Sequence, residues 1–171
     1  AKRLPRLAGH AAGAEAVRET IKAASELNVR FLTLYTFSAE NWKRPPEEVQ
    51  SLMYLIDEKL RVELSELHQR GVRFRVIGNL KEMPDFLQKS FHEAMELTAN
   101  NQGLNLVVAL NYGARTEIKD AARQIAEEVR QGKLKPDEVT EETFANYLYT
   151  AGLPEPELLI RTSGELRLSN F

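Results

Sequence analysis

Arg161, Thr162, Ser163, Gly164, Arg167 and Ser169 crowd one short stretch, directly behind the apolar triplet 158–160. Guanidinium forks match phosphate oxygens bidentately, and hydroxyls beside a glycine complete such a cradle. A second polar string, Ser38-Ala39-Glu40-Asn41-Trp42-Lys43-Arg44-Pro45, follows the apolar run 30–37. A third, Asn111-Tyr112-Gly113-Ala114-Arg115, follows the apolar run 104–110. The first ten residues carry Lys2, Arg3, Arg6 and His10 with no acid among them. They lead into a helical pattern, whose free N–H groups favour an anion. Two separated basic clusters suggest two phosphorylated ligands, or two ends of one. Taken singly, each stretch also reads as an ordinary solvated loop.

Several other chemistries are excluded. The chain contains no G-x-G-x-x-G, no G-x-x-x-x-G-K-[ST] and no G-x-S-x-G. It has no cysteine, hence no disulfide, thiolate metal site or cysteine nucleophile, which fits a reducing, cytoplasmic setting. His10, His68 and His92 lack metal-ligand spacing. With 23 Lys+Arg against 25 Asp+Glu, the formal charge of −2 argues against a broad nucleic-acid surface. No apolar run reaches the roughly 18 residues of a spanning helix. Trp42, the only tryptophan, reads equally as a cover over the core edge or as a pocket wall.

These loops need a scaffold. Apolar residues at spacings of three and four predict a helix over 9–27, with Ala14, Val17, Ile21, Ala24 and Leu27 inward. Residues 30–37 read as a buried strand. Pro45-Pro46, with Glu47 and Glu48 in the first turn, opens a long helix that Gly71 ends. Residues 72–77 alternate apolar and basic as a strand with one wetter face. A helix runs from Met83-Pro84 to about Ala99, with Phe86, Leu87, Phe91, Ala94, Met95 and Leu97 apolar. A strand follows at 104–110. The next helix, 115–131, has Ile118, Ala121, Ala122, Ile125 and Val129 inward and stops at Gly132. A short helix at 141–149 and a fourth strand at 158–160 complete the pattern.

Alternation of helix and strand predicts an α/β fold, a mostly parallel central sheet with helices on both faces. Three strands then run into polar loops at one sheet edge, where open α/β sheets bind ligands. An α/β domain normally has a strand before its first helix and cover after its last strand. Residues 1–171 therefore read as a single incomplete domain, with a first strand and a C-terminal segment missing.

The strings 37–45 (F-S-A-E-N-W-K-R-P), 111–115 (N-Y-G-A-R) and 161–171 (R-T-S-G-E-L-R-L-S-N-F) resemble, in order, the motifs of cis-prenyltransferases, in particular the bacterial undecaprenyl diphosphate synthases. Arg6-Leu7-Ala8-Gly9-His10 is similar to the segment just after that family's first motif. The resemblance implies condensation of isopentenyl diphosphate onto an allylic diphosphate, usually farnesyl diphosphate, with cis geometry and magnesium. The product would be a long polyprenyl carrier for cell-wall glycans. By the same resemblance, Arg6 and His10 match positions that bind the allylic diphosphate. Arg161, Arg167, Leu168 and Ser169 match the isopentenyl diphosphate region. Ser38, Ala39, Glu40, Asn41, Trp42 and Arg44 match the loop flanking the reacting carbons, with Asn41 a participant in proton removal. The family also implies a homodimer, without a transmembrane segment but with peripheral membrane contact for product release.

Ionising an allylic diphosphate needs its departing charge held by cations and N–H donors. Holding two substrates together removes much of the entropic barrier. A growing hydrocarbon needs an apolar channel, which the faces of helices 48–70 and 84–99 with strand 104–110 would line; those faces read first as ordinary core. The family's D-G-N-G-R-W-type motif, with a metal-binding aspartate, and its C-terminal glutamate have no counterpart here. Neither expected magnesium carboxylate then lies in these residues, and the 171 residues alone are expected not to turn over. The alternative is a non-catalytic accessory subunit of a two-component cis-prenyltransferase, against which the Arg6/His10 and Asn41/Trp42 sets argue. Product length and starter preference are not legible.

Overall fold

In a computed structural model, the described residues are 6–162 and 164–171, with side chains from residue 13 onward. Helix α1 spans Arg6–Glu26, strand β1 Phe31–Ser38, helix α2 Pro46–Gln69 and strand β2 Arg73–Ile77. Helix α3 (Asp85–Thr98), strand β3 (Asn105–Tyr112), helix α4 (Ala114–Arg130) and helix α5 (Glu141–Ala145) follow. The strands form a parallel sheet in the order β1-β3-β2. This is the expected α/β fold, with the expected parallel sheet.

The sequence explains where most elements stop. Prolines occupy the N-cap and first turn of α2, with Glu47 and Glu48 against its positive end. Past its end the Val72 N–H returns to the Leu67 carbonyl at 2.9 Å, closing the last turn at Gly71. The exposed edge of β2 is blunted by α3: buried Thr98 accepts the Phe74 N–H at 3.0 Å and donates to Ala94 O at 2.8 Å.

One sheet face packs Phe74, Leu106, Val108 and Leu110 against α2 and α3. The other face, with Ile77, Val107 and Ala109, lies beneath Tyr149 and Leu153. Glu117 ties α4 into that layer. Its carboxylate is 5% exposed and accepts the Tyr112 hydroxyl at 2.6 Å and the Tyr149 N–H at 2.7 Å. Satisfying that carboxylate decides how α4 is rotated. Glu117, Ala121 and Ile125 form the buried stripe, and Ile118, predicted inward, is exposed.

Strands β1 and β3 lose their side-chain alternation near their C-terminal ends. Leu32 and Leu34 face one side and Tyr35 the other, so strict alternation would put Phe37 with Tyr35. Register shifts on either side of Phe37 return it to the first face, where it is 1% exposed. In β3, Asn111 has φ +47°, and Tyr112 joins the face of Val107 and Ala109 rather than that of Leu110.

Three expectations are corrected. Residues 158–160 are not a strand: they have no ladder partner among the described residues, and Leu158 and Ile160 are three-quarters exposed. A three-residue run is apolar enough to suggest a strand, but only pairing makes one. Helix α5 ends at Ala145, with Tyr147 and Tyr149 in turns. In α1, Val17 is exposed, as is Leu27 just beyond it, and Ala24 is the only buried side chain from residue 13 on.

Candidate active site

The C-terminal ends of β1, β2 and β3 share one rim of the sheet. Ser38 closes β1 and feeds a 3-10 turn over Ala39–Lys43. The Ser38 N–H donates to Asn41 Oδ1 at 3.1 Å, so the turn folds back on the strand end. Trp42 meets Phe37 edge-on, with ring centroids 5.4 Å apart. Arg44 pairs with Glu48 at 3.0 Å in the first turn of α2.

Asn111 is the hub of the rim. It is 2% exposed, and its left-handed backbone turns β3 into the next loop. Its Oδ1 accepts the Trp42 indole N–H at 2.8 Å, and its Nδ2 donates to Asn79 O at 2.9 Å and Glu82 Oε2 at 3.2 Å. One carboxamide thus joins the loops of all three strands. Gly78 permits the closest approach: it has φ +116°, and a Cβ there would lie 2.0 Å from Leu110 O.

Residues 169–171 lie against the same rim. Asn170 Nδ2 donates to Glu40 Oε1 at 2.7 Å. The Ala114 N–H donates to Asn170 O at 2.8 Å, and the Arg115 N–H to Asn170 Oδ1 at 3.0 Å. Phe171 stacks on Tyr35 with centroids 4.5 Å apart, and Tyr112 meets both rings edge-on. The Tyr35 hydroxyl reaches Tyr112 O at 3.2 Å and Ser169 O at 3.4 Å. Arg161 Nη1 donates to Ser169 Oγ at 3.0 Å and to Arg167 O, while Arg167 pairs with Glu165.

Electrostatics at the rim follow from these contacts. The Glu40 carboxyl is held below its ordinary range, first by its own backbone N–H and then by Asn170, Ser38 and Lys43 against the opposing effect of burial. Tyr112 is pushed up by burial and by its hydrogen bond to Glu117, so it stays a phenol donor throughout the neutral range.

A cavity of about 650 Å³ lies beneath α1. Val17 and Ile21 from α1 and Leu52, Leu55 and Ile56 from α2 line it. Leu34, Phe37, Leu106 and Val108 form its sheet wall. Asn41 and Arg44 line the rim end, and Arg18, Glu63, Glu66 and Arg70 the end towards the C-terminus of α2. The second helical wall is therefore α1. Helix α3 contributes only Phe91 and otherwise packs as core, which corrects the predicted pairing of helices 48–70 and 84–99 as channel walls.

The structure gathers Ser38, Ala39, Glu40, Asn41, Trp42 and Arg44 on one loop, and Asn170 brings segment 161–171 onto it. Arg161 and Ser169 meet directly, whereas Arg167 turns to Glu165 and Leu168 is exposed. Lys2 and Arg3 lie outside the described residues, as do Ser163 and the side chains of Arg6 and His10. Sequence reasoning missed Asn79 and Glu82, although Gly78-Asn79 after a short strand is a turn signal. It also missed the bridging role of Asn170.

Comparison with known proteins agrees with this fold. The model of the family described as "Putative undecaprenyl diphosphate synthase" matches residues 1–171. The chain is 50% identical to an isoprenyl transferase of Heliobacterium mobile over 168 residues, 98% of this chain and 65% of that protein. It is 49% identical to the ditrans,polycis-undecaprenyl-diphosphate synthase ((2E,6E)-farnesyl-diphosphate specific) of Micrococcus luteus over 170 residues, 99% of this chain and 68% of that protein. It thus spans about two thirds of the length of these curated relatives. Among solved structures, lavandulyl diphosphate synthase from Lavandula x intermedia, in complex with dimethylallyl diphosphate, superposes with a TM-score of 0.91 at 38% identity, covering 95% of this chain and 71% of that one. A probable undecaprenyl diphosphate synthase from Campylobacter jejuni gives 0.79 at 32% identity, covering 92% and 72%. A match along the whole chain, on a fold that carries the motif loops at a single rim, establishes that the chain belongs to the undecaprenyl diphosphate synthase family of prenyltransferases.

Proposed function

We propose that the chain forms the substrate-binding core of a cis-prenyltransferase. It joins isopentenyl diphosphate to an allylic diphosphate, farnesyl diphosphate in the first cycle, and repetition yields a long polyprenyl diphosphate carrier for cell-wall glycans. The observation that carries this reading is the apolar cavity that begins at Asn41 and Arg44 on the polar rim and runs along α2. A diphosphate head at the rim and a hydrocarbon tail in the cavity use both halves of that shape.

In each cycle the bond between the allylic carbon and its diphosphate oxygen breaks, and the diphosphate leaves with the electron pair. The terminal alkene carbon of isopentenyl diphosphate bonds to the freed carbon, and one proton departs. Arg161, Ser169 and, after release from Glu165, Arg167 hold the isopentenyl diphosphate. Arg6 and His10 hold the allylic diphosphate. Asn41, fixed through its Oδ1 by the Ser38 N–H, keeps a carboxamide N–H₂ for orienting the group that takes the proton. Trp42, anchored by Asn111 and Phe37, sits beside that rim end without lining the cavity.

Magnesium supplies charge neutralisation for the departing diphosphate in this reaction. Among the described residues no group of three or more His, Asp or Glu side chains is placed to hold a cation. No step here is routed through the ion. No described helix is long and apolar enough to cross a membrane. A cytoplasmic homodimer with peripheral membrane contact for product release accords with this reading.

The test uses full-length protein with labelled isopentenyl diphosphate, farnesyl diphosphate and magnesium, with products read by mass and double-bond geometry. Five-carbon additions with cis bonds are expected; all-trans products, or none, overturn the proposal. In that protein Arg161→Ala raises KM for isopentenyl diphosphate about tenfold or more, the loss of a charge-assisted hydrogen bond. Asn41→Ala lowers kcat more than it changes either KM, and equal losses would reduce Asn41 to a binding role.

A further inference from the structure

We propose that Asn170 is a positioning residue that sets the phosphate-binding arm 161–171 against the loop carrying Asn41. This rests on the prenyltransferase reading of those two segments. Asn170 uses donor, side-chain acceptor and backbone carbonyl at once. Its Nδ2 donates to Glu40, its Oδ1 accepts the Arg115 N–H, and its O accepts the Ala114 N–H. Three segments therefore meet on one residue: the turn after β1, the N-terminus of α4 and the arm.

The local backbone is shaped for this meeting. Ser169 and Asn170 have φ +56° and +64°, a left-handed pair that reverses the chain. Gly113 makes the room, because a Cβ there would stand 2.5 Å from Asn170 Nδ2. Phe171, stacked on Tyr35, holds the far side of the reversal.

The consequence is specific to the site. Ser169, which takes the Arg161 guanidinium, precedes Asn170, and Asn41 follows Glu40. The Asn170–Glu40 hydrogen bond is thus one residue removed from each of the two groups that must be held in register. Glu40 stays ionised through the neutral range, so the bond is charge-assisted.

The experiment uses the full-length protein. Asn170→Ala should raise KM for isopentenyl diphosphate about tenfold and leave KM for the allylic starter within about twofold. Glu40→Gln, whose amide oxygen still accepts from Asn170, should keep the Ala114 and Arg115 amides as protected as in the wild type. Asn170→Asp, which faces Glu40 with a second carboxylate, should be at least as impaired as Asn170→Ala at neutral pH. A fall in kcat with both KM values unchanged would mean only fewer folded molecules and would overturn the positioning role. Hydrogen exchange gives a readout independent of turnover. The Ala114 and Arg115 amides should exchange faster in Asn170→Ala, and unchanged exchange overturns the bridge itself. If the wild-type protein makes no prenyl product, the functional reading fails while exchange still decides the coupling.

Discussion

Helix α2 has a different kind of neighbour on each side. Towards α3 it is zipped shut: Tyr54 stacks on Phe86 with centroids 5.1 Å apart, Arg61 donates to Ser90 at 2.9 Å, and Met53, Leu60, Leu87 and Phe91 fill the space between. Towards α1 it meets an ion pair over a void. Arg18 reaches Glu66 at 2.7 Å and Glu63 at 3.3 Å, and beneath that link lies the cavity. Both sides of α2 are apolar in sequence, so patterning alone does not tell a core from a binding channel. The difference is whether the facing helix brings large side chains or small and polar ones. Helix α3 brings two phenylalanines and a leucine, Phe86, Leu87 and Phe91, whereas α1 brings Gly13, Ala14 and Arg18 beside the smaller Val17 and Ile21.

Truncation tests this contrast most severely. Leu87→Ala, at a position with no exposure and no part in the cavity, should cost about 2–5 kcal/mol in denaturant unfolding, because a filled interior cannot collapse around the deletion. Leu52→Ala, on the cavity side, should cost no more than about 2 kcal/mol, since its neighbours already face open space. Equal costs would mean that the cavity is closed in solution.

Enlargement is the next test. Ala94→Leu, at a position with no exposure, should cost about 1–3 kcal/mol by overpacking α2 against α3. Ile21→Phe should be tolerated within about 1 kcal/mol and should shorten the longest product, because the added ring enters the cavity. Unchanged product length would place the growing chain elsewhere.

The smallest effect belongs to the ion pair. Arg18→Ala should leave denaturant stability nearly unchanged, and less affected still in high salt, because all three partners are solvated. Its pH signature is sharper. The Glu66 carboxyl is held below its ordinary range by hydrogen bonds from Arg18 and Arg70. A depressed carboxyl contributes stability above its unfolded value and loses it as pH falls through the folded one. Acidification below the ordinary glutamate range should therefore speed amide exchange in α1 before it does so in α3. Simultaneous loss would show that α1 is held by packing instead.

The helices and central strands were legible because their signals are local. Pro45-Pro46, Gly71 and Gly132 mark boundaries, and 104–110 is apolar enough to name the central strand. Placement of the loops after β1 and β3 at one rim followed from the parallel order, whereas that of 161–171 was expected from a strand at 158–160 that does not form. What escaped depends on partners distant in sequence. Leu158-Leu159-Ile160 has a strand's composition without a neighbour to pair with. Ile118 lost its place to Glu117 because Tyr112 and Tyr149 satisfy a buried carboxylate. Asn170 looks like any polar residue near a chain end until Glu40 and the start of α4 arrive beside it. The motif strings named the rim residues, but not which of them hold the others in place.

The slipped rungs at the top of β1 have a cost that a survey of contacts would overlook. Ironing out both slips, so that Thr36 paired with Leu110 and Phe37 with Asn111, would give β1 an unbroken ladder with β3, and by ordinary measures a tidier sheet. It would also turn Phe37 onto the face of Tyr35, away from the indole it braces, leaving the tidier sheet without a working rim. Improving this protein's regularity and preserving its chemistry are, at that one position, opposite instructions to a designer.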